Sequence, residues 1–314
     1  MLVLGLAASF APAMFRAADD WPSIHAWLVG DAPQPQELKE QVPDQVLDHI
    51  RRIRSGFESL RTQLMEARAE VLVMLASDDG RMFTGIQVPQ FCTFLGEEIW
   101  GSTRYAELGE TAEDDIVRLP CAPAVAAFVQ RELVSHSIDM NYSQVLRPLG
   151  QPEFGSSASL VAAAPWLLAD SQISVVPIYV NCRVAPCPSG HRCYAVGQAL
   201  AEILDERPER IAVFASGGLS HDHHGPRAGW VDPPLDEWLL DQLARGRGAN
   251  LGRLFEVDSD TVGGGVAETR LWAAVAGACE DRGGKARVLD YIPSYAAATG
   301  IGFAYWPLDG RQEG

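Results

Sequence analysis

Basic side chains are scarce in this chain. Its 314 residues hold 25 Lys and Arg against 41 Asp and Glu, a formal net charge of -16 at pH 7. A surface of that sign repels phosphate backbones and anionic lipid heads, which argues against nucleic acid or a membrane as partner. Cysteine is sparse too, and 6 thiols in a chain of this length do not make a disulfide scaffold. No apolar run reaches the ~18 residues of a transmembrane helix. Internal repeats, long linkers and low-complexity tracts are missing as well. The opening "MLVLGLAASFAPAMFRAA" imitates a signal peptide, yet Arg16 follows the apolar run instead of preceding it. A cytoplasmic globular protein that begins with a buried strand is expected.

What is abundant is short apolar runs rich in β-branched residues: "LVLGLAAS", "EVLVMLAS", "ISVVPIYVN" and "RIAVFASGG". Helical patterns alternate with them. Val46, Leu47, Ile50, Ile53, Phe57, Leu60 and Leu64 recur at helical spacing, and "APAVAAFVQRELVSH" and "RCYAVGQALAEILDE" read as further helices. The end, "ARVLDYIPSYAAATGIGFAYWPL", reads as two strands around a small-residue turn. Such alternation predicts one α/β domain over residues 1–314, with a central mixed β-sheet flanked by helices. Each run closes on small or polar residues: Ser9-Phe10, Ser77-Asp78-Asp79, Asn181-Cys182 and Ser216 to His221. Ligands of α/β sheets bind outside the carboxyl ends of the strands, so these ends are expected to share one pocket.

Two clusters carry chemistry. In "NCRVAPCPSGHRC", Cys182, Cys187, Cys193 and His191 lie close together, but their spacing fits no common zinc pattern, so a strand-to-helix loop is the reading. In "FASGGLSHDHHGPRAG", Gly217 and Gly218 can bring the backbone close to a ligand, and the strand before them fixes His221. An imidazole so placed suits acid–base work, because it titrates near neutrality. His223 and His224 fall in a polar loop and read as solvated.

"SGGLSH" followed by "GPRAG" resembles the class III extradiol ring-cleavage dioxygenases, of the protocatechuate 4,5-dioxygenase β-subunit type. "VLVMLASDDGRMF", "PIYVNC" with "SGHRCYAVGQAL", and "GGGVAETRLWAAVAGA" extend the resemblance from about residue 3 to residue 305. The resemblance implies an Fe(II) centre of two histidines and a glutamate, which leaves open positions for a catecholate and O2. It also implies an acid–base histidine. Carried over residue by residue, Glu268 in "GGVAETRLW" matches the glutamate and His221 the acid–base histidine. Phe10, in "SFAP", stands where a Ser-His-x-Pro turn supplies the first ligand. Asp79 stands where an Asp-His pair supplies the second. A further active-site histidine falls at Phe154 in "QPEFGSSASL" after a short insertion, or near Gly150 without it.

Three readings follow from the resemblance. In the first, the chain is a non-catalytic homologue with a degraded metal site, completing a homo-oligomer or a hetero-oligomer with a catalytic paralogue. In the second, it is a repurposed enzyme without cofactor that binds a small aromatic compound. His221 and Asp79 then do proton transfer, Phe10, Phe154, Gly217 and Gly218 shape the substrate site, and Glu268 with Asp79 remains as a vestigial, weak metal site. In the third, it is an active extradiol dioxygenase with Fe(II) that opens a catechol-type ring.

Overall fold

A computed structural model describes residues 1–40, 43–256 and 265–308. Gly263 and Gly264 of the "GGGVAETRLW" stretch lie outside the described residues. Ten strands are described: β1 Leu2–Ala8, β2 Val71–Ser77, β3 Phe91–Phe94, β4 Glu98–Ser102, β5 Ile116–Pro120, β6 Met140–Ser143, β7 Ser174–Val180, β8 Ile211–Ser216, β9 Arg287–Ser294 and β10 Thr299–Pro307. Eight of them form one mixed sheet in the order β6-β3-β7-β2-β8-β1-β10-β9, while β4 and β5 pair separately. The neighbours β7, β2, β8 and β1 run parallel. β10 joins β1 antiparallel, β9 closes that edge as a hairpin, and β3 meets β7 antiparallel on the other side. The chain is thus a single α/β domain with a large mixed sheet flanked by helices.

Both faces of the sheet are covered, which is why its central strands read as unbroken apolar runs rather than alternating ones. Side chains still alternate. Val71, Val73 and Leu75 join the core formed with helices Pro123–Ser135, Gly190–Asp205, Pro233–Ala244 and Thr269–Glu280. Leu72, Met74 and Ala76 point into the opposite core, against helices Trp21–Val29 and Pro43–Glu66. In Pro43–Glu66 the stripe of Ile50, Ile53, Phe57, Leu60 and Leu64 is buried, whereas Leu47, near the helix start, is 51% exposed. β1 is buried along its whole length between β8 and β10.

One contact sets the position of the helix that follows Glu268. Helix Thr269–Glu280 lies directly on helix Gly190–Asp205. A Cβ at Gly197 would stand 1.8 Å from the carbonyl of Ala274, and one at Gly277 would stand 2.1 Å from that of Tyr194. Only glycine permits this approach. Because the four central strands are parallel, their carboxyl ends open on the same side of the sheet, where the start of Thr269–Glu280 meets the turn after β8.

Candidate active site

At that edge lies a cavity of about 210 Å³. Phe10 reaches its wall from the end of β1, Ser77 and Asp79 from the end of β2, Arg183 from the segment after β7, His221 from the turn after β8, and Glu268 from the start of the last helix. The cavity is smaller than the ~300–1,000 Å³ pockets that take drug-sized ligands, a size suited to one ring.

His221 is 8% exposed and held at one ring nitrogen. Nδ1 lies 3.0 Å from the carbonyl of Leu219, which can only accept, so Nδ1 carries the proton in the neutral ring. Nε2 therefore presents its lone pair, 3.9 Å from Oε2 of Glu268. Glu268 is kept in place by the backbone N–H of Gly218, which donates to Oε2 at 3.0 Å. Gly217, with φ +144°, passes so close that a Cβ would stand 2.7 Å from that oxygen. Ser9 ties the turn to its surroundings: its Oγ accepts the N–H groups of Leu219 and Gly302, each at 2.9 Å, and donates to the carbonyl of Gly300. Gly217 and Gly218 thus act through Glu268 and the backbone and are not part of the cavity wall.

The two aspartates after β2 have separate tasks. Asp78 accepts the N–H groups of Met82 and Phe83 and shapes the loop, and burial together with its neighbour Asp79 pushes its carboxyl up to about 6. Asp79 faces the cavity. Its Oδ2 takes the N–H of Ala158 at 3.1 Å and lies 3.3 Å from Nε of Arg81. Arg81 is 2% exposed, donates to the carbonyls of Ser102 and Arg104, and sits over the rings of Tyr105 and Phe154 at 4.9 and 5.1 Å. Phe154 is therefore buried against Arg81 and does not reach the wall, where Gln151 stands instead. Gly150, the other candidate position, lies where a Cβ would stand 1.9 Å from the carbonyl of Gly80.

His223 departs from the solvated reading. It lines the cavity with its ring 4.5 Å from that of His221. Thr299 gives its own proton to the carbonyl of Ala297, so its Oγ1 accepts from Nε2 of His223 at 3.2 Å. Burial, and then the nearby His221, Arg183 and His224, hold His223 well below the ordinary histidine range, so it is neutral at pH 7. His224 is exposed, but it too lines the cavity and packs edge-on to Trp27 at 5.1 Å. Trp27 and Tyr105, rings 4.8 Å apart, supply an aromatic wall that no motif announced, because they come from unrelated segments. The other histidines lie elsewhere: His25 on a separate apolar hollow, His49 on Ser294, His136 on Glu132 and His191 on Glu256. Cys182 and Cys193 are buried and Cys187 half-buried, in or beside the loop between β7 and helix Gly190–Asp205, and all three are free thiols.

The family model described as the catalytic LigB subunit of aromatic ring-opening dioxygenase matches residues 28–304. The chain belongs to this family. Among its relatives is a gallate dioxygenase of Pseudomonas putida, 30% identical over 182 residues, which are 57% of this chain and 51% of that protein. A 2,3-dihydroxyphenylpropionate/2,3-dihydroxicinnamic acid 1,2-dioxygenase of Klebsiella pneumoniae is 26% identical over 216 residues, 69% of this chain and 60% of the relative. The matched stretches thus span little more than half of either relative. The crystal structure of an uncharacterized protein from Escherichia coli K12 superposes with a TM-score of 0.57 over 96% of this chain and 99% of that one, at 12% identity, and so shares the fold.

The donors at this edge can be set against the Fe(II) centre that the resemblance implies. An Fe(II) centre of two imidazoles and a carboxylate needs three lone-pair donors around one point. Here the ends of β1 and β2 offer Phe10, which has no lone pair, and Asp79, whose charge is met by Arg81. Glu268 already takes the N–H of Gly218. Among the described residues, no three His, Cys, Asp or Glu side chains gather closely enough to hold a metal ion. No described helix is long and apolar enough to cross a membrane.

Proposed function

We propose that this LigB-family chain binds a small, single-ring aromatic compound and transfers protons through His221, without the iron centre that the family implies. The observation that carries this reading is the orientation of His221: Nδ1 is committed to the Leu219 carbonyl and Nε2 faces Glu268 at 3.9 Å on the wall of a one-ring cavity. A dead pocket has no need of a fixed tautomer and an aimed carboxylate. Nε2 would accept a proton from a ring hydroxyl or an acidic carbon. The carboxylate of Glu268 would stabilise the imidazolium so formed until the proton is returned at another atom of the substrate. Phe10, Trp27 and Tyr105 would hold the ring by apolar contact, and neutral His223 would add a hydrogen-bonding group without adding charge. The donor set, Phe10 and Arg81-paired Asp79 among it, does not suit Fe(II).

The names of the relatives, both dioxygenases of hydroxylated aromatic compounds, favour a second reading, opening of such a ring with the iron that the resemblance implies. One experiment separates the two. The chain is expressed with added iron and purified anaerobically, its iron is measured, and it is offered catechols in air. Iron well below one per chain and no coloured ring-fission product are expected. Stoichiometric iron with ring opening would overturn the proton-transfer reading. Once turnover is found, His221→Ala should lower it by about 10²–10⁴-fold with the fold intact. Unchanged activity, in the chain alone or in complex with a paralogue, would assign the chain to the role of partner subunit.

A further inference from the structure

His221 works through Nε2 only while its own proton stays on Nδ1, and the nearest carboxylate pulls the other way. Oε2 of Glu268 lies 3.9 Å from Nε2 and draws the ring proton toward that nitrogen. On the Nδ1 side stands only a carbonyl, that of Leu219, at 3.0 Å. A neutral carbonyl is a weaker acceptor than a carboxylate, so the Nδ1–H form needs support from behind the carbonyl.

That support is in place. The carbonyl of Leu219 and the N–H of Ser220 belong to one peptide unit, and this N–H donates to Oδ1 of Asp236 at 2.9 Å. Asp236, on helix Pro233–Ala244, is buried, and its other oxygen accepts from Oγ of Ser220 at 2.7 Å and from the hydroxyl of Tyr291 at 2.8 Å. The start of β10 closes over it so tightly that a Cβ at Gly300 would stand 2.0 Å from Oδ2. The peptide units on either side are fixed as well: the N–H of Leu219 donates to Oγ of Ser9, and the carbonyl of Ser220 accepts the N–H of Gly300 at 2.8 Å. A carboxylate at the N–H end of a peptide polarises the unit and makes its oxygen a stronger acceptor, because hydrogen bonds in a chain reinforce one another.

We propose that Asp236 is a positioning residue for His221, acting through the Leu219–Ser220 peptide to hold the ring proton on Nδ1 and keep the lone pair of Nε2 free at the cavity. The task is that of a carboxylate which fixes the tautomer of a histidine, with one peptide interposed. The proposal rests on the proton-transfer reading for its use. It gives the two buried carboxylates opposite tasks. Asp236 keeps the proton on the far nitrogen while the ring is neutral, and Glu268 stabilises the imidazolium once a substrate proton has arrived.

The test reads the tautomer directly and needs no substrate. The full chain is isotopically labelled at its histidine ring nitrogens, and long-range proton–nitrogen NMR spectra are taken at pH 8, where the Asp236 carboxyl, pushed up to about 6, is ionised. The signals of His221 are those missing from His221→Gln. In the parent, Nδ1 should carry the proton and Nε2 should show the shift of a bare nitrogen. Asp236→Asn keeps an acceptor for the N–H of Ser220 and loses the charge, so its Nδ1–H proton should move upfield. The ratio of the Nδ1–H to the Nε2–H form should fall by roughly 2- to 20-fold, the polarisation of one hydrogen bond by another. Tyr291→Phe removes a bond to Asp236 and keeps its charge, so it should leave both signals in place. A ring protonated at Nε2 in the parent would overturn the relay and the proton-transfer reading together. Unchanged ring signals in Asp236→Asn, or an equal shift in Tyr291→Phe from loosened packing, would overturn the relay and leave the proton-transfer reading standing.

Discussion

Asp236 supports the turn that carries His221, and its burial makes the fold measurably dependent on pH. It lies on helix Pro233–Ala244, is 0% exposed, and accepts three hydrogen bonds: from the N–H of Ser220 at 2.9 Å, from Oγ of Ser220 at 2.7 Å and from the hydroxyl of Tyr291 at 2.8 Å. Burial outweighs these bonds and pushes its carboxyl up to about 6. In the unfolded chain the same group titrates near ~3.9. Below both values it is protonated in either state and costs nothing. Between them the unfolded chain releases the proton while the folded chain keeps it, so stability falls as pH rises through this window. A gap of about two pH units corresponds to about 3 kcal/mol. Asp236→Asn keeps the volume and an acceptor for Ser220, and it cannot ionise. Urea unfolding of both proteins gives the check: relative to the parent, the variant should gain about 3 kcal/mol between about pH 4 and about pH 7. A difference that stays constant across that range would refute the burial argument.

Gly217→Ala should cost about 1–3 kcal/mol, because a side chain is strained at φ +144° and its Cβ would press on Oε2 of Glu268 at 2.7 Å. Thermal unfolding reads this, and an unchanged melting temperature would show that the turn yields freely. Replacing Phe10→His together with Asp79→His places two imidazoles at the ends of β1 and β2, and metal analysis should then find more iron than in the parent. No gain would mean that groups able to orient such ligands are missing there.

Much of this molecule could be read without its coordinates, because burial imprints a period on a strand or a helix. The runs at Leu2–Ala8, Val71–Ser77, Ser174–Val180 and Ile211–Ser216 had to lie in a doubly covered sheet, and Ile50, Ile53, Phe57, Leu60 and Leu64 had to share a helix face. The small and polar residues closing each strand marked the edge where Phe10, Asp79, His221 and Glu268 line one cavity. Irregular segments carry no such period. Which of Asp78 and Asp79 faces the cavity depends on the N–H groups of Met82 and Phe83, which claim Asp78. His223 enters the wall rather than the solvent because Ser9 and Asp236 pin the turn before it and Thr299 takes its Nε2–H. Trp27, Tyr105 and Arg183 join the site from distant segments, and Arg81, two residues on, pairs with the carboxylate of Asp79. The direction of a side chain in a loop is set by hydrogen bonds made within the loop and from segments remote in the chain, so only the folded structure decides it.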